Sequence, residues 1–157
     1  MYLIHKLDSF IKKNILKKTK GSLFAVLVNT YNLILNKNLR ISYVHNQNIY
    51  KANNTKNNIF RYFPSENYGI YAYLNSLEAR GDQIGNDYLL DFIDFKEDDT
   101  VIDCGAHVGD FLLWFENKNL GINYIAFEPL PNEFICLEKN IKNHKIYNGG
   151  LWHEEKK

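Results

Sequence analysis

The fold of this chain is decided by residues 101–131, VIDCGAHVGDFLLWFENKNLGINYIAFEPLP. An apolar strand begins at Val101, and two glycines then bracket a turn that leads into an apolar helix over residues 111–115. A second apolar run over residues 124–127 closes with Glu128 and is stopped by a proline. Strand, helix and strand in this order predict parallel pairing, and so an α/β sheet whose ligand site lies at the carboxyl ends of its strands.

Four residues of this stretch have the chemistry of a pocket for a nucleotide-like cofactor. Gly105 and Gly109 bracket the turn, where glycine lets backbone approach a ligand and the helix start leaves unpaired N–H groups. We expect Asp103 to end the first strand, and we favour a ligand contact for it over bonding to nearby backbone. Glu128 stands 25 residues later, where a carboxylate can accept hydrogen bonds from two ribose hydroxyls. We favour that role over a surface charge.

These residues resemble the cofactor half of the FkbM-type S-adenosylmethionine-dependent methyltransferases. The family pattern, an apolar residue with Asp-x-Gly-Ala-x-x-Gly and later Phe-Glu-Pro, is matched by residues 102–109 and 127–129. The similarity extends over roughly residues 60–152 and includes Arg80-Gly81-Asp82, Tyr88-Leu89-Leu90, Phe134, Leu137, Asn140 and Leu151-Trp152. The resemblance implies S-adenosyl-L-methionine as cofactor, bound by Asp103, Gly105, Ala106, His107, Gly109 and Glu128. It indicates no catalytic residue and no metal.

The resemblance also implies the Rossmann-like parallel sheet of class I methyltransferases, with only its first strands present. Residues 146–147 are predicted to form the third strand, and His-Glu-Glu-Lys-Lys closes the sequence soon afterwards. In such a fold the later strands supply adenine contacts, substrate contacts and any catalytic base. We therefore expect a chain that is truncated at its carboxyl end. Family members often carry Asn at the position of His107.

The function implied by the resemblance is O-methylation of a hydroxyl on a sugar, a glycan or another small molecule. Two alternatives stay open. A truncated, catalytically inactive chain could serve as a cofactor-binding or interaction fragment. An NAD-dependent oxidoreductase also uses strand, turn, helix and a downstream acid, but the Gly-x-Gly-x-x-Gly spacing of that class is missing here.

Composition argues against several other classes. A net charge of +1 and a pI near 7.7 show no global bias toward nucleic acid. Cys104 and Cys136 lie far apart without a CxxC motif, and the histidines lack metal-ligand spacing, so we expect reduced thiols and no structural metal. Cys104 follows a strand expected to be buried and is predicted to be unreactive. No apolar stretch reaches the roughly 20 residues that span a bilayer. We predict a cytoplasmic protein.

Residues 1–65 are expected to form an N-terminal extension of a helical hairpin and short β segments. The first helix is predicted over residues 2–18, which combine a narrow apolar face with several lysines. We favour packing for that face, and weak contact with an anionic membrane surface is the alternative. The second helix is predicted over residues 23–36. Short strands are predicted within 39–51 and over 59–63, with a polar loop over 53–58 between them.

Residues 66–157 are expected to form the partial Rossmann-like domain. Residues 66–77 place aromatic and aliphatic side chains at helical spacing, either for packing, which we favour, or to line a sugar-like substrate. A helix over 84–95 is predicted to turn Tyr88, Leu89, Phe92 and Ile93 inward. A further helix is predicted from Pro131, with Phe134, Leu137 and Ile141 on one face. An open third strand would leave a sheet edge that favours self-association.

Overall fold

The computed structural model of this protein describes residues 18–56, 59–64, 73 and 76–151. Within those ranges the helices are α1 (Gly21–Ile34), α2 (Leu77–Asp87), α3 (Phe111–Lys118) and α4 (Pro131–Asn140). The strands are β1 (Leu39–Val44), β2 (Ile49–Asn54), β3 (Phe60–Pro64), β4 (Thr100–Cys104), β5 (Asn123–Glu128) and β6 (Lys145–Asn148). The predicted helix over 2–18, apart from residue 18, and nearly all of the aromatic segment over 66–77 lie outside the described residues.

The second half of the chain forms a parallel three-stranded sheet with the order β4-β5-β6. Helix α3 connects the first two strands and α4 connects the next two, which confirms the predicted alternation of strands and helices. The architecture is α/β and compatible with a Rossmann-like fold. Cys104 pairs with Phe127, so Asp103 lies inside β4, whereas we had expected it to end that strand. Because all three strands run the same way, their carboxyl ends share one edge.

The first half forms an antiparallel meander with the order β1-β2-β3, which confirms the strands predicted within 39–51 and 59–63. Asn48 takes a left-handed conformation, φ 51°, in the turn between β1 and β2, as asparagine does readily. The loop predicted over 53–58 begins too early. Asn53 lies within β2 and pairs with Arg40 on one side and with Phe60 on the other. Pairing on both sides outweighs the low strand propensity of asparagine.

The helix predicted over 84–95 is wrong in position and in orientation. Helix α2 ends at Asp87, and Leu89 then takes a left-handed conformation, φ 55°, that turns the chain into a short 3-10 helix over Leu90–Phe92. Only Leu90 is buried there, whereas the four residues expected to face inward are exposed: Tyr88, Leu89, Phe92 and Ile93.

The inner face of α2 is made instead by Gly81 and Gly85, which lie against α3. A Cβ added at position 81 would lie 2.5 Å from Nδ2 of Asn117, and one at position 85 would overlap the Trp114 ring. The two helices therefore approach as closely as they do because these residues have no side chain. Hydrophobic periodicity does not register such a contact.

Two buried cores lie around the sheets. One core covers the inner face of the parallel sheet and takes Tyr124 and Ala126 from β5, together with residues of α3 and α4. The other core joins α1 and the first sheet to Val108, Leu113 and Cys136, which belong to the second half of the chain. The predicted boundary between residues 65 and 66 stays a prediction.

Asparagine side chains bind the two outer edges of the first sheet. Asn29 of α1 accepts a hydrogen bond from the Ile41 amide at 2.7 Å and donates to the Ile41 carbonyl at 2.8 Å. Asn140 of α4 does the same for Tyr62 of β3, at 2.6 and 2.8 Å. Each amide therefore satisfies backbone groups that an edge strand leaves without a strand partner.

Some apolar surface remains exposed. The helix predicted over 23–36 is confirmed as α1, and its outer side exposes Leu23, Val26, Leu33 and Ile34. The outer face of the parallel sheet exposes Ile102 and Tyr147. Across the part of the chain that the structure describes, every helix is too short or too polar to traverse a lipid bilayer.

Candidate functional site

The turn between β4 and α3 is held against the end of β5 by backbone hydrogen bonds. The amides of Gly105 and Ala106 both donate to the Phe127 carbonyl, at 2.8 and 2.9 Å. Three residues of the turn have positive φ: 88° at Gly105, 52° at His107 and 84° at Gly109. Residues 105–109 therefore form a tightly wound loop, the glycine loop, at the carboxyl edge of the sheet, as the glycine spacing predicts.

The two glycines have different surroundings. A Cβ at Gly105 would meet no atom within 4 Å, so this backbone faces open space. A Cβ at Gly109 would lie 2.8 Å from Cδ1 of Ile141 and 3.0 Å from Cδ1 of Leu137. Gly109 therefore lets α4 pack against the loop, and Gly105 is the glycine beside which a ligand has room.

Glu128 is buried, with 4% of its surface exposed, at the end of β5. Its Oε2 accepts a hydrogen bond from the His107 amide at 2.7 Å, and its Oε1 accepts one from the Leu130 amide at 2.8 Å. The carboxylate thus ties the glycine loop to the strand end. Each oxygen keeps a further lone pair that can accept a hydrogen bond.

Asp103 lies on β4 and accepts a hydrogen bond from the Tyr124 hydroxyl of β5. Burial raises the pKa of Asp103; the Tyr124 hydrogen bond opposes that shift, and the negative charge of Glu128 adds to it. Burial also raises the pKa of Tyr124, as does the negative charge of Asp103. Two carboxylates therefore lie near each other at the carboxyl edge, one of them partly desolvated.

Sequence reasoning missed a buried ion pair beside the loop. Asp110, immediately after Gly109, accepts a hydrogen bond from Nε of Arg80 at 2.8 Å and another from the Tyr73 hydroxyl. Burial, followed by the charge of Asp110, raises the pKa of Tyr73. The sequence offered two separate signals, the position of Asp110 next to the glycine motif and Arg80 within the stretch similar to the family. Nothing in the sequence joined them, because the partners of Asp110 lie 30 and 37 residues away.

A cavity of about 130 Å³ brings much of this chemistry together. Four of the six predicted cofactor residues line it, namely Asp103, Gly105, Ala106 and His107, together with Arg80, Ile84, Tyr88, Asp110 and Phe111. Gly109 and Glu128 do not line it. Small-molecule pockets usually measure about 300–1,000 Å³, so this cavity suits one end of a nucleotide-like cofactor.

The residues present fit S-adenosyl-L-methionine in their donors and acceptors. The cavity offers a guanidinium and carboxylates, which match the carboxylate and ammonium of an amino acid. A ligand can approach the open backbone at Gly105, and Glu128 keeps acceptor capacity at the strand end.

Larger cavities lie elsewhere among the described residues. One of about 420 Å³ lies between β1, β2 and the start of α2, and one of about 330 Å³ lies at the amino ends of the parallel strands. A third, of about 370 Å³, lies between α2 and α3 and is bordered by Asp82 and Glu116. None of the three is lined by the glycine loop, so none has the anion- and nucleotide-binding backbone that singles out the carboxyl edge. No group of three metal-ligating side chains occurs among the described residues.

Two known proteins are similar to part of this chain. The 31-O-demethyl-FK506 methyltransferase FkbM of Streptomyces tacrolimicus is 34% identical over 59 residues, which are 38% of this chain and 23% of that protein. Methyltransferase 1 of Beauveria bassiana (strain ARSEF 2860) is 30% identical over 60 residues, which are 38% of this chain and 24% of that protein. No family model matches the chain, and no solved structure matches it.

Both relatives are methyltransferases by name, so the similarity supports a methyltransferase relationship in general. The chain spans about a quarter of the length of the relatives that it matches.

Proposed function

We propose that this chain forms the cofactor-binding part of an S-adenosylmethionine-dependent methyltransferase. The observation that carries the proposal is the loop at the carboxyl edge of the parallel sheet, where the Gly105 backbone faces open space beside a small polar cavity. The similarity to two named methyltransferases supports the choice of reaction class.

The residues divide into two groups in this proposal. Asp103, the backbone of Gly105 and Ala106, and His107 line the cavity and bind the amino-acid end of the cofactor. Glu128 holds the loop in shape through the His107 amide and accepts a ribose hydroxyl with its remaining lone pairs. Gly109 acts through packing, because it allows Ile141 and Leu137 to support the loop from behind.

When bound, S-adenosylmethionine supplies an electrophilic methyl group on a sulfonium. The protein's task is then to align an acceptor with that group, which is a matter of position more than of covalent help. We propose a hydroxyl of a sugar, a glycan or another small molecule as acceptor. Support for an oxygen acceptor comes from the 31-O position in the name of one relative.

The test is calorimetric titration of the chain with S-adenosylmethionine, S-adenosylhomocysteine and NAD, with Gly105→Ala as the variant. The added methyl group would meet no protein atom, but it would occupy the space of a ligand that lies against the loop. We expect binding of the two adenosyl compounds in preference to NAD, and a loss of about tenfold or more in Gly105→Ala.

Gly21→Ala is the matched control. Gly21 also has positive φ, 60°, its Cβ would lie in ordinary contact with Tyr43, and it does not line the cavity. Both variants should therefore lose similar stability, about 1–2 kcal/mol for a left-handed alanine. Only Gly105→Ala should lose affinity. A preference for NAD, or equal affinity losses in the two variants, would overturn the proposal.

A further inference from the structure

The Arg80 side chain is held in a fixed orientation next to the glycine loop. Its Nε donates to Oδ2 of Asp110 at 2.8 Å, and Asp110 is itself buried and bonded to the Tyr73 hydroxyl. Tyr73 is fully buried and stacks on Phe63, with ring centroids 5.1 Å apart. The guanidinium is therefore anchored from behind through a chain of buried groups.

The outer end of the guanidinium is available with respect to the residues that the structure describes. Arginine has five N–H donors in a planar fork, and the Asp110 contact uses the one on Nε. Within the described parts of the chain, the two terminal nitrogens of Arg80 have no hydrogen-bond partner. The side chain is 19% exposed and lines the 130 Å³ cavity with Asp103 and His107. Such a fork matches a planar carboxylate.

We propose that Arg80 binds the carboxylate of the amino-acid end of S-adenosylmethionine, and that Asp110 and Tyr73 are positioning residues for it. The inference rests on the proposed function and adds the residue that recognises this end of the cofactor. The ion pair with Asp110 could join α2 to the loop without any ligand. A purely structural role, however, does not explain why the free end of the guanidinium borders the cavity that the predicted cofactor residues line.

The test compares two ligands that differ only in this carboxylate: S-adenosylmethionine and decarboxylated S-adenosylmethionine. Calorimetry on the full chain gives both affinities. A charge-assisted hydrogen bond contributes enough to change affinity by about ten- to a hundredfold, so wild-type protein should prefer the carboxylated ligand by that factor. Equal affinities would overturn the inference while leaving the proposed function intact. Binding of neither ligand would overturn the proposed function itself.

Variants assign the preference to Arg80. Arg80→Gln keeps a neutral donor for Asp110 and removes the charged fork, so the preference should fall to about threefold or less, with affinity for the decarboxylated ligand unchanged. Arg80→Lys keeps the charge and should retain part of the preference. Arg40→Gln is the control, since among the described residues Arg40 donates to the backbone carbonyls of Lys37 and Leu39 and does not line the cavity.

Thermal unfolding of each variant shows whether the fold is intact. If Arg80→Gln does not fold, the ligand comparison in wild type and in Arg80→Lys still decides. An undiminished preference in either folded Arg80 variant would overturn the inference. Equal loss of affinity for both ligands in an Arg80 variant would also overturn the inference, because loss of a purely structural ion pair would weaken the binding of both ligands equally.

Discussion

Replacing Asn140 with alanine should destabilise the protein more than any other change of one polar side chain in α4. Asn140 is buried, with 8% of its surface exposed. Its side chain makes three hydrogen bonds, two with the backbone of Tyr62 and one with the Val108 carbonyl at 2.8 Å. It therefore joins an edge of the first sheet to the glycine loop. The variant leaves all three backbone groups without this partner.

The expected magnitude follows from those three bonds. A net contribution of about 0.5–1.5 kcal/mol for each hydrogen bond gives a total loss of about 1.5–4.5 kcal/mol. With a urea m-value of about 2 kcal/mol/M, a loss of about 3 kcal/mol lowers the unfolding midpoint by about 1.5 M. Because Val108 precedes Gly109 in the loop, affinity for S-adenosylhomocysteine should fall as well.

The assay is urea unfolding followed by circular dichroism, with Asn132→Ala as the control on the exposed side of the same helix. The control should change the free energy of unfolding by less than about 0.5 kcal/mol. Asn140→Asp tests the hydrogen bonds at nearly constant volume: it keeps an acceptor for the Tyr62 amide and places a carboxylate oxygen against two carbonyls. It should cost more than alanine at neutral pH. A loss in Asn140→Ala no larger than in Asn132→Ala would refute the reasoning.

Three further predictions concern packing, charge and thiol exposure. Gly85→Ala should lower the free energy of unfolding by about 1–3 kcal/mol, because the added methyl group would overlap the Trp114 ring. Gly150→Ala is the control, since a methyl group there meets no atom. A higher melting temperature for the Gly85 variant than for wild type would contradict this prediction. Asp103→Asn should raise stability at neutral pH, because the folded-state pKa of Asp103 lies above its ordinary value of 3.8 and the native state loses stability as pH rises through that window. Its advantage over wild type in urea titrations should shrink toward pH 3, and an advantage that is constant with pH would argue against a desolvated carboxyl. A thiol reagent should modify Cys104 alone in the folded protein, because Cys136 is fully buried and burial raises the pKa of its thiol to about 12; two rapidly reacting thiols in native buffer would contradict that expectation.

The exposure of Cys104 shows where the sequence misleads. Its strand was expected to be buried, but β4 is an edge strand, and its outward face, with Ile102, is exposed. Apolar strands of a parallel sheet look alike in sequence whether or not both faces are covered. What covers a face depends on other elements, and local composition carries no record of them.

The same contrast holds for the candidate site. The loop geometry could be predicted because it depends on near neighbours: glycines at 105 and 109 tolerate positive φ, and Glu128 ends its strand directly before a proline. The pairing of Arg80 with Asp110 could not be predicted, because the two residues are 30 positions apart and no local pattern joins them.

Local sequence patterns are enough to predict the order of strands and helices in the second half, the glycine turn and the acid at the strand end. These follow from periodicity and from backbone preferences that act within a few residues. Tertiary structure decided which asparagines and charges matter. Asn140 and Tyr62 are separated by 78 residues, and only folding makes an amide on α4 the partner of an edge strand. Hydrogen bonds and close glycine contacts depend on angstrom-scale placement, which no pattern of residue types specifies.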